Sequence, residues 1–368
     1  MNTWIGQKLK ISIFGESHGK AVGCVADGLD SGLEIDCDYI NSELAKRRPA
    51  SFEYTTQRRE TDEFEIISGV TQGKTNGSPL CVMFKNKDSR SDDYNTIVPR
   101  PSHADFAAYV KYTGNCDLNG GGHFSARLTA PLVFIGSICK RELEKRGIYC
   151  AAAITSIGKT HAKGFYDVAV THDLLKQLNS NMPIADERDR AAIFAELEAA
   201  RRDKDSVGGS VECCFINLPI GLGEPFFDSV ESSLARLMFS IPAVKGIEFG
   251  RGFSLSEMRG SQANDQFNAD AIKSNFKNMN NEREIAYNNN AGGIIGGLTN
   301  SMPLIFKVAF KPIPSIGQEM RSVDMHSLEP VIVRTEGRHD VCAAVRGASV
   351  IVSTACICIY DFLQGKTK

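Results

Sequence analysis

The chain has 368 residues, 42 basic against 44 acidic for a net charge of −2, and 42% of it is hydrophobic. That composition supplies a core of ordinary size and excludes a mainly disordered chain, a collagen-like strand or a coiled-coil rod. The charge balance excludes a nucleic-acid binder working through bulk positive charge, and no stretch approaches the ~18 uninterrupted apolar residues of a membrane span or forms a secretory leader.

Residues 8–14 alternate polar and apolar positions and read as a strand, which ends at the turn-prone Gly15-Glu16-Ser17-His18-Gly19. Asp38 is placed to cap a helix running through Leu44 to Arg48. Residues 63–70 and 79–84 read as strands joined by the glycine-rich turn 72–77, and 86–100 as a long polar loop of the kind that often carries function. The strongest helix covers 125–146, with Leu128, Leu132, Ile135, Cys139 and Leu143 three or four apart, basic residues in its last turn and Gly147 to close it. A charged, alanine-rich surface helix follows at 186–205, a strand at 211–217 and a helix at 229–239. Residues 260–290 are polar, rich in asparagine and without apolar periodicity, which predicts a mobile excursion. Residues 341–362 begin as a small-residue helix, although their β-branched run leaves the type open. Nothing has the composition of a tether, so one domain over residues 1–368 is expected.

Two segments echo each other. Thr75-Asn76-Gly77-Ser78-Pro79-Leu80 and Thr299-Asn300-Ser301-Met302-Pro303-Leu304 each precede a strand ending in Phe-Lys, which suggests duplication of a strand-turn-strand unit. The 11 cysteines are odd in number, show no Cys-x-x-Cys spacing and lie largely in apolar runs. They read as buried free thiols in a reducing cytoplasm, not as metal ligands.

Five segments carry the residue types of catalysis. The Gly15–Gly19 turn presents His18, which exchanges protons near neutral pH. In Arg100-Pro101-Ser102-His103-Ala104-Asp105, Pro101 stiffens the backbone and Ser102 is placed to cap a following helix, which would put His103 at a dipole that lowers its pKa. Gly120-Gly121-Gly122-His123-Phe124-Ser125 leads into the long helix as a candidate anion cradle without the Lys-Ser/Thr of a Walker loop. Lys46-Arg47-Arg48 with Arg58-Arg59 forms a basic cluster, read either as a solvated face or as phosphate and carboxylate contacts. Gly337-Arg338-His339-Asp340 combines an anion grip with proton-transfer groups.

Taken in order these motifs resemble the chorismate synthase family along nearly the whole chain. The matching stretches include Phe14 to Gly19, Arg47-Arg48-Pro49, Tyr54 to Glu60, Asp62 to Gly69, Arg90-Ser91, His103 to Asp105, Gly120 to Ala130, Ala243 to Gly246, Arg259 to Gln262, Asn290 to Gly293 and Gly337 to Asp340. The resemblance implies an α+β fold, a β-α-β sandwich assembled as a homotetramer. It implies a lyase that eliminates phosphate from 5-enolpyruvylshikimate 3-phosphate to give chorismate and needs reduced FMN. With no nicotinamide fingerprint in the chain, the flavin is expected to be reduced by a separate NADPH-dependent reductase.

The same resemblance implies His18 as the acid near the departing phosphate, His103 as the residue governing flavin protonation, and Asp340 as partner of the flavin's reactive nitrogen. Flavin contacts are expected from His123, Phe124, Ser125, Pro242, Ala243, Gly296, Lys311, Pro312, Ile313, Pro314, Ser315 and Arg338, and anion contacts from Arg47, Arg48 and Arg127. Departures from the family pattern fall at His123, Phe124 and Leu128, which replace Arg, Ser and Glu, at Glu53, at Ser102, and in the 311–315 loop, which lacks two hydroxyls. None touches His18, His103 or Asp340. An alternative is a catalytically silent flavin- or phosphate-binding homologue.

Overall fold

The computed structural model describes residues 2–48, 61–87, 98–180, 182–278, 285–334 and 340–365. The alternating runs of the first 85 residues form strands β1 (Thr3–Ile5), β2 (Lys10–Gly15), β3 (Ala21–Asp27), β4 (Phe64–Ser68), β5 (Val70–Thr71), β6 (Lys74–Thr75) and β7 (Leu80–Lys85). Five of these make an antiparallel sheet ordered β1-β2-β3-β7-β4, while β5 and β6 form a small hairpin. Leu80, Val82 and Phe84 of β7 point to the core, as a period of two requires. The second sheet comes from β8 (Tyr149–Ile157), β9 (Thr160–His161), β10 (Gly209–Ile216), β11 (Val244–Phe249) and β14 (Leu304–Phe310), while β12 (Ile294–Ile295) with β13 (Leu298–Thr299) forms a separate hairpin. Its order is β11-β14-β10-β8-β9, again antiparallel. A last hairpin pairs β15 (Met320–Val323) with β16 (Pro330–Val333).

The helices are α1 (Cys37–Arg47), α2 (Asp105–Lys111), α3 (Thr129–Lys145), α4 (His172–Gln177), α5 (Arg190–Arg202), α6 (Val230–Met238), α7 (Gly260–Ala263), α8 (Ala269–Asn278) and α9 (Ala343–Gly365). α1, α3, α6 and α9 fill the space between the two sheets, α3 against β3 and β7 and α9 against β8 and β10. The result is the expected sheet–helix–sheet sandwich. A smaller cluster of Ala151, Ala153, Phe165 and Leu175 closes the outer face of the second sheet. α9 is long and apolar enough to cross a bilayer, but 83% of its apolar window is buried inside the fold, which makes it a core helix. Its β-branched residues are tolerated because Val350, Ile351, Val352, Ile357 and Ile359 all pack. α3 and α9 lie side by side where Gly136 meets Ser353; a Cβ at 136 would stand 2.3 Å from the Ser353 carbonyl oxygen.

Several boundaries differ from the sequence reading. α1 is capped by Asp36, two residues before Asp38, and its carboxylate accepts from Tyr39 N at 3.0 Å. α3 starts at Thr129 because residues 126–128 form a tighter 3₁₀ turn capped by Ser125. The 260–290 segment holds α7 and α8, and the Asp265 carboxylate binds the Asn290 and Ala291 N–H groups at 2.7 and 3.0 Å, which anchors its return.

The duplication is broader than a strand-turn-strand unit. Strands β2-β3-β7-β4 correspond to β8-β10-β14-β11 in sheet order, with α1 or α6 following the second strand in the chain and α3 or α9 following the last. The echoed threonines do the same work. Thr75 Oγ1 donates to Asp30 O at 2.6 Å and accepts from Leu33 N at 2.9 Å. Thr299 Oγ1 donates to Pro219 O at 2.6 Å and accepts from Leu222 N at 2.9 Å. Both are buried, so each hydroxyl needs both partners.

Candidate active site

β2 ends at Gly15 and the chain turns through Glu16 to Gly19. The buried Ser17 donates its N–H to Gly122 O at 3.0 Å. The imidazole of His18 lies over Gly120, where a Cβ would stand 2.4 Å from Nε2. Gly120, Gly121 and Gly122 all have positive φ (59°, 89° and 52°), which glycine adopts without strain. Of the triple glycine read as an anion cradle, Gly120 forms the floor beneath His18 and Gly122 holds the Ser17 N–H through its carbonyl.

Beside this turn stands a buried charge cluster. The Asp62 carboxylate takes Arg47 Nη1 on Oδ2 at 2.5 Å and Arg127 Nη1 on Oδ1. Asp62 is 1% exposed and the two arginines 3% and 5%. Burial pulls the Arg47 guanidinium down to about 10 even though Asp62 favours its charge; nearby Arg346 and Arg127 add to the depression. Arg346, on the first turn of α9, pairs with Asp340 at 2.8 Å. Three guanidiniums against two carboxylates leave a net positive charge, and the N-terminal ends of α3 and α9 reinforce it. Such a cluster attracts an anion that would complete its neutralisation.

A second histidine centre lies alongside. His103 Nε2 is 2.9 Å from Ser315 Oγ, and Nδ1 is 3.2 Å from Pro101 O. Arg100 grips Asp105 through Nε and Nη2 at 2.7 and 2.9 Å, and Lys311 Nζ donates to Ser102 O at 2.7 Å. Burial first, then Arg100, push the His103 pKa down to about 4; Asp105 opposes them. Ser102 is not the cap of α2: it sits at φ +60°, and α2 starts at Asp105 from Ala104 without a side-chain cap. The depression of His103 is thus mainly an effect of burial.

These contacts close into a ring. Arg100 Nη2 reaches Leu118 O at 3.5 Å, two residues from the glycine under His18. Asn86 joins the His18 turn to Arg127, Asp62 joins Arg127 to Arg47, and Val207 N donates to Val341 O next to Asp340. Ser206 Oγ donates to Ile313 O at 2.6 Å, which leads back through Ser315 to His103.

Placement of the remaining candidates follows. Lys311 N donates to Ala243 O at 2.9 Å, so Pro242, Ala243 and the 311–315 loop share this end of the fold. Tyr112 meets His123 edge to face at 5.6 Å between ring centroids, and the tilted rings of His123 and Phe124 lie 4.1 Å apart, with Phe124 39% exposed. Arg48 is the half-buried C-cap of α1, whereas Lys46 is drawn off to Glu43 at 2.7 Å and Asn179 at 2.5 Å. Gly296 is not brought here: its turn packs near Gly223 and Val230 at the N-terminal end of α6, while Pro242 follows the other end. Glu53, Arg58, Arg59, Arg90 and Arg338 lie outside the described residues. A cavity of about 20 Å³ beneath Glu43 and Lys46 holds a single water at most and does not adjoin the ring's histidines. Sequence reasoning gave no role to Asp62, Asn86 or Arg346. Asp62 lay in a matching stretch and Arg346 one and a half helical turns past Asp340, but neither pairing has a local signature.

Comparison with known proteins agrees with the motif order. The profile of the chorismate synthase family matches residues 9–363. The chain belongs to the chorismate synthase family. It is 42% identical over 360 residues to "Chorismate synthase" of Thermococcus kodakarensis, covering 97% of this chain and 96% of that one. It is 40% identical over 363 residues to "Chorismate synthase" of Korarchaeum cryptofilum, covering 98% and 96%. A solved structure described as "Crystal Structure of Chorismate Synthase" superposes with a TM-score of 0.74 at 27% identity, covering 97% of this chain and 92% of that one. Family membership leaves His103 with a specific test. The folded imidazole (about 4) holds a proton less readily than the unfolded one (6.5), so the unfolded chain protonates first as pH falls. The stability tied to neutral His103 is complete above about pH 6.5 and is lost between there and pH 4. His103→Gln should flatten that limb of a plot of urea midpoint against pH; an unchanged slope would assign it to another group.

Proposed function

We propose that the chain converts 5-enolpyruvylshikimate 3-phosphate to chorismate by anti 1,4-elimination of phosphate within the ring that joins His18, the arginine cluster, Asp340 and His103. What supports this reading is the closure of that ring from segments spread over the whole chain, with cations and proton-transfer groups on one perimeter. The substrate carries a phosphate and two carboxylates, and Arg47 and Arg127 offer buried guanidiniums to hold part of that load. His18 would donate the proton that the departing phosphate oxygen needs, a contribution of about 10²–10⁴ in rate. Arg346 orients the Asp340 carboxylate at 2.8 Å. His103, neutral at pH 7, holds the Ser315 hydroxyl and meters protons without adding a charge.

The residues fit a flavin. Phe124 and His123 offer a pair of neighbouring, partly exposed aromatic rings, and Lys311 with the Ser315 hydroxyl supplies a cation and a polar group on the neighbouring loop. Reduced FMN, when bound, supplies electron density to the breaking C–O bond and recovers it as the C–H bond breaks. Around it, this chain's residues position the substrate, exclude water and move protons. In the homotetramer that the family resemblance implies, Gly296 would be available to the flavin of another copy of the chain. A separate NADPH-dependent reductase supplies the reduced flavin, and a reducing cytoplasm suits 11 cysteines that form no disulfide.

Purified protein given substrate and dithionite-reduced FMN without oxygen should release phosphate. Ligand binding without release would favour the silent homologue, and turnover on NADPH alone would remove the need for a reductase. Where the family carries Arg, His123→Arg adds a charge-assisted contact of about 1 kcal/mol and should tighten FMN binding about fivefold in a fluorescence titration. An unchanged constant would remove His123 from the flavin site.

A further inference from the structure

We infer that Asn86 is a positioning residue that couples the anion-binding Arg127 to the proton-donating His18. The inference rests on the roles proposed for those two residues. Asn86 follows the last residue of β7, and its amide is used at both ends. Oδ1 accepts from Arg127 Nε at 3.0 Å. Nδ2 donates to the carbonyls of Glu16 and Gly19 at 3.0 and 2.8 Å, the two residues that flank Ser17 and His18. The orientation is fixed by its partners: rotating the amide would set N–H against N–H at Arg127 and oxygen against two carbonyl oxygens. Because Asp62 holds Nη1 of the same guanidinium and Lys85 O lies 3.5 Å from Nη2, the plane of Arg127 is set together by Asn86, Asp62 and the end of β7. A small movement of that guanidinium toward an anion is therefore passed through one rigid amide to both ends of the His18 turn. Displacing a reacting group by about 1 Å costs on the order of 10² in rate, so the amide has leverage out of proportion to its own hydrogen bonds.

Asn86→Asp separates the two links. It keeps an oxygen toward Arg127 and removes the donor to Glu16 and Gly19. Asn86→Ser, which adds no charge, serves the same cycle if the aspartate variant does not fold. Either change is expected to lower kcat about 10²-fold. Asn86→Asp also raises KM, because a third carboxylate, placed at Arg127, cancels the net positive charge of the cluster, so the coupling is read in kcat alone. The deciding measurement is a double-mutant cycle: in a His18→Ala background the same change at position 86 should alter kcat by less than about twofold, since an absent imidazole cannot be misplaced. An equal loss with and without His18, or no loss in either, overturns the coupling while leaving His18 in place. A His18→Ala enzyme that keeps its activity overturns the role of His18 and the coupling with it.

Discussion

Replacing Asp62 with asparagine is expected to lower folding stability by about 3–5 kcal/mol and to remove most turnover. The carboxylate has no exposed side-chain surface and carries one arginine on each oxygen, themselves only 4% exposed at the side chain. Taking away the shared negative charge leaves two buried guanidiniums facing each other in a poorly screened setting. Asparagine is the right probe because Asp62 sits at φ +51°, a conformation that Asn tolerates and Ala resists, so the backbone effect is held constant. The loss is a large share of the 5–15 kcal/mol typical of a folded chain. Urea denaturation measures it. Inorganic phosphate should then raise the midpoint of Asp62→Asn more than that of the parent, because an anion can take the carboxylate's place. A variant with the parental midpoint would mean that the bridge contributes nothing net.

His18→Ala should behave in the opposite way, with stability little changed and kcat reduced by about 10²–10⁴. On one face the imidazole rests on Gly120, which has no side chain, so its removal loses few packing contacts there. The anion contacts lie on Arg47 and Arg127, and substrate KM should stay within about threefold. Single-turnover phosphate release against substrate concentration separates the two parameters. A raised KM with normal kcat would make His18 a binding group, not the acid.

Much of this molecule was legible before folding was considered. Alternation along 8–14 and the apolar run of 79–84 after a glycine-rich turn marked two strands of the first sheet, and the three-four spacing of Leu128 to Leu143 marked the long helix. The echo between Thr75 and Thr299 pointed to the repeat, since each buried hydroxyl makes the same pair of bonds in its own half. The helix type at 341–362 was not legible, because a β-branched run satisfies strand and buried helix alike and only packing on both sides selects between them. Ser102 read as a cap because serine suits that position, but the tie from Lys311 to its carbonyl and its left-handed backbone belong to a loop.

Composition and local pattern determined most of the elements and the inventory of histidines, arginines and carboxylates from which a site had to come, and the resemblance carried by the order of the motifs pointed to the family. Tertiary structure decided which of them act together: His103 with Ser315, 212 residues away, Arg127 with Asp62, 65 away, and Gly296 apart from them all. The physical reason is range. Propensity and periodicity report on a few neighbouring residues, whereas a buried ion pair or an imidazole contact is selected by the desolvation and packing of segments that meet only in the folded chain.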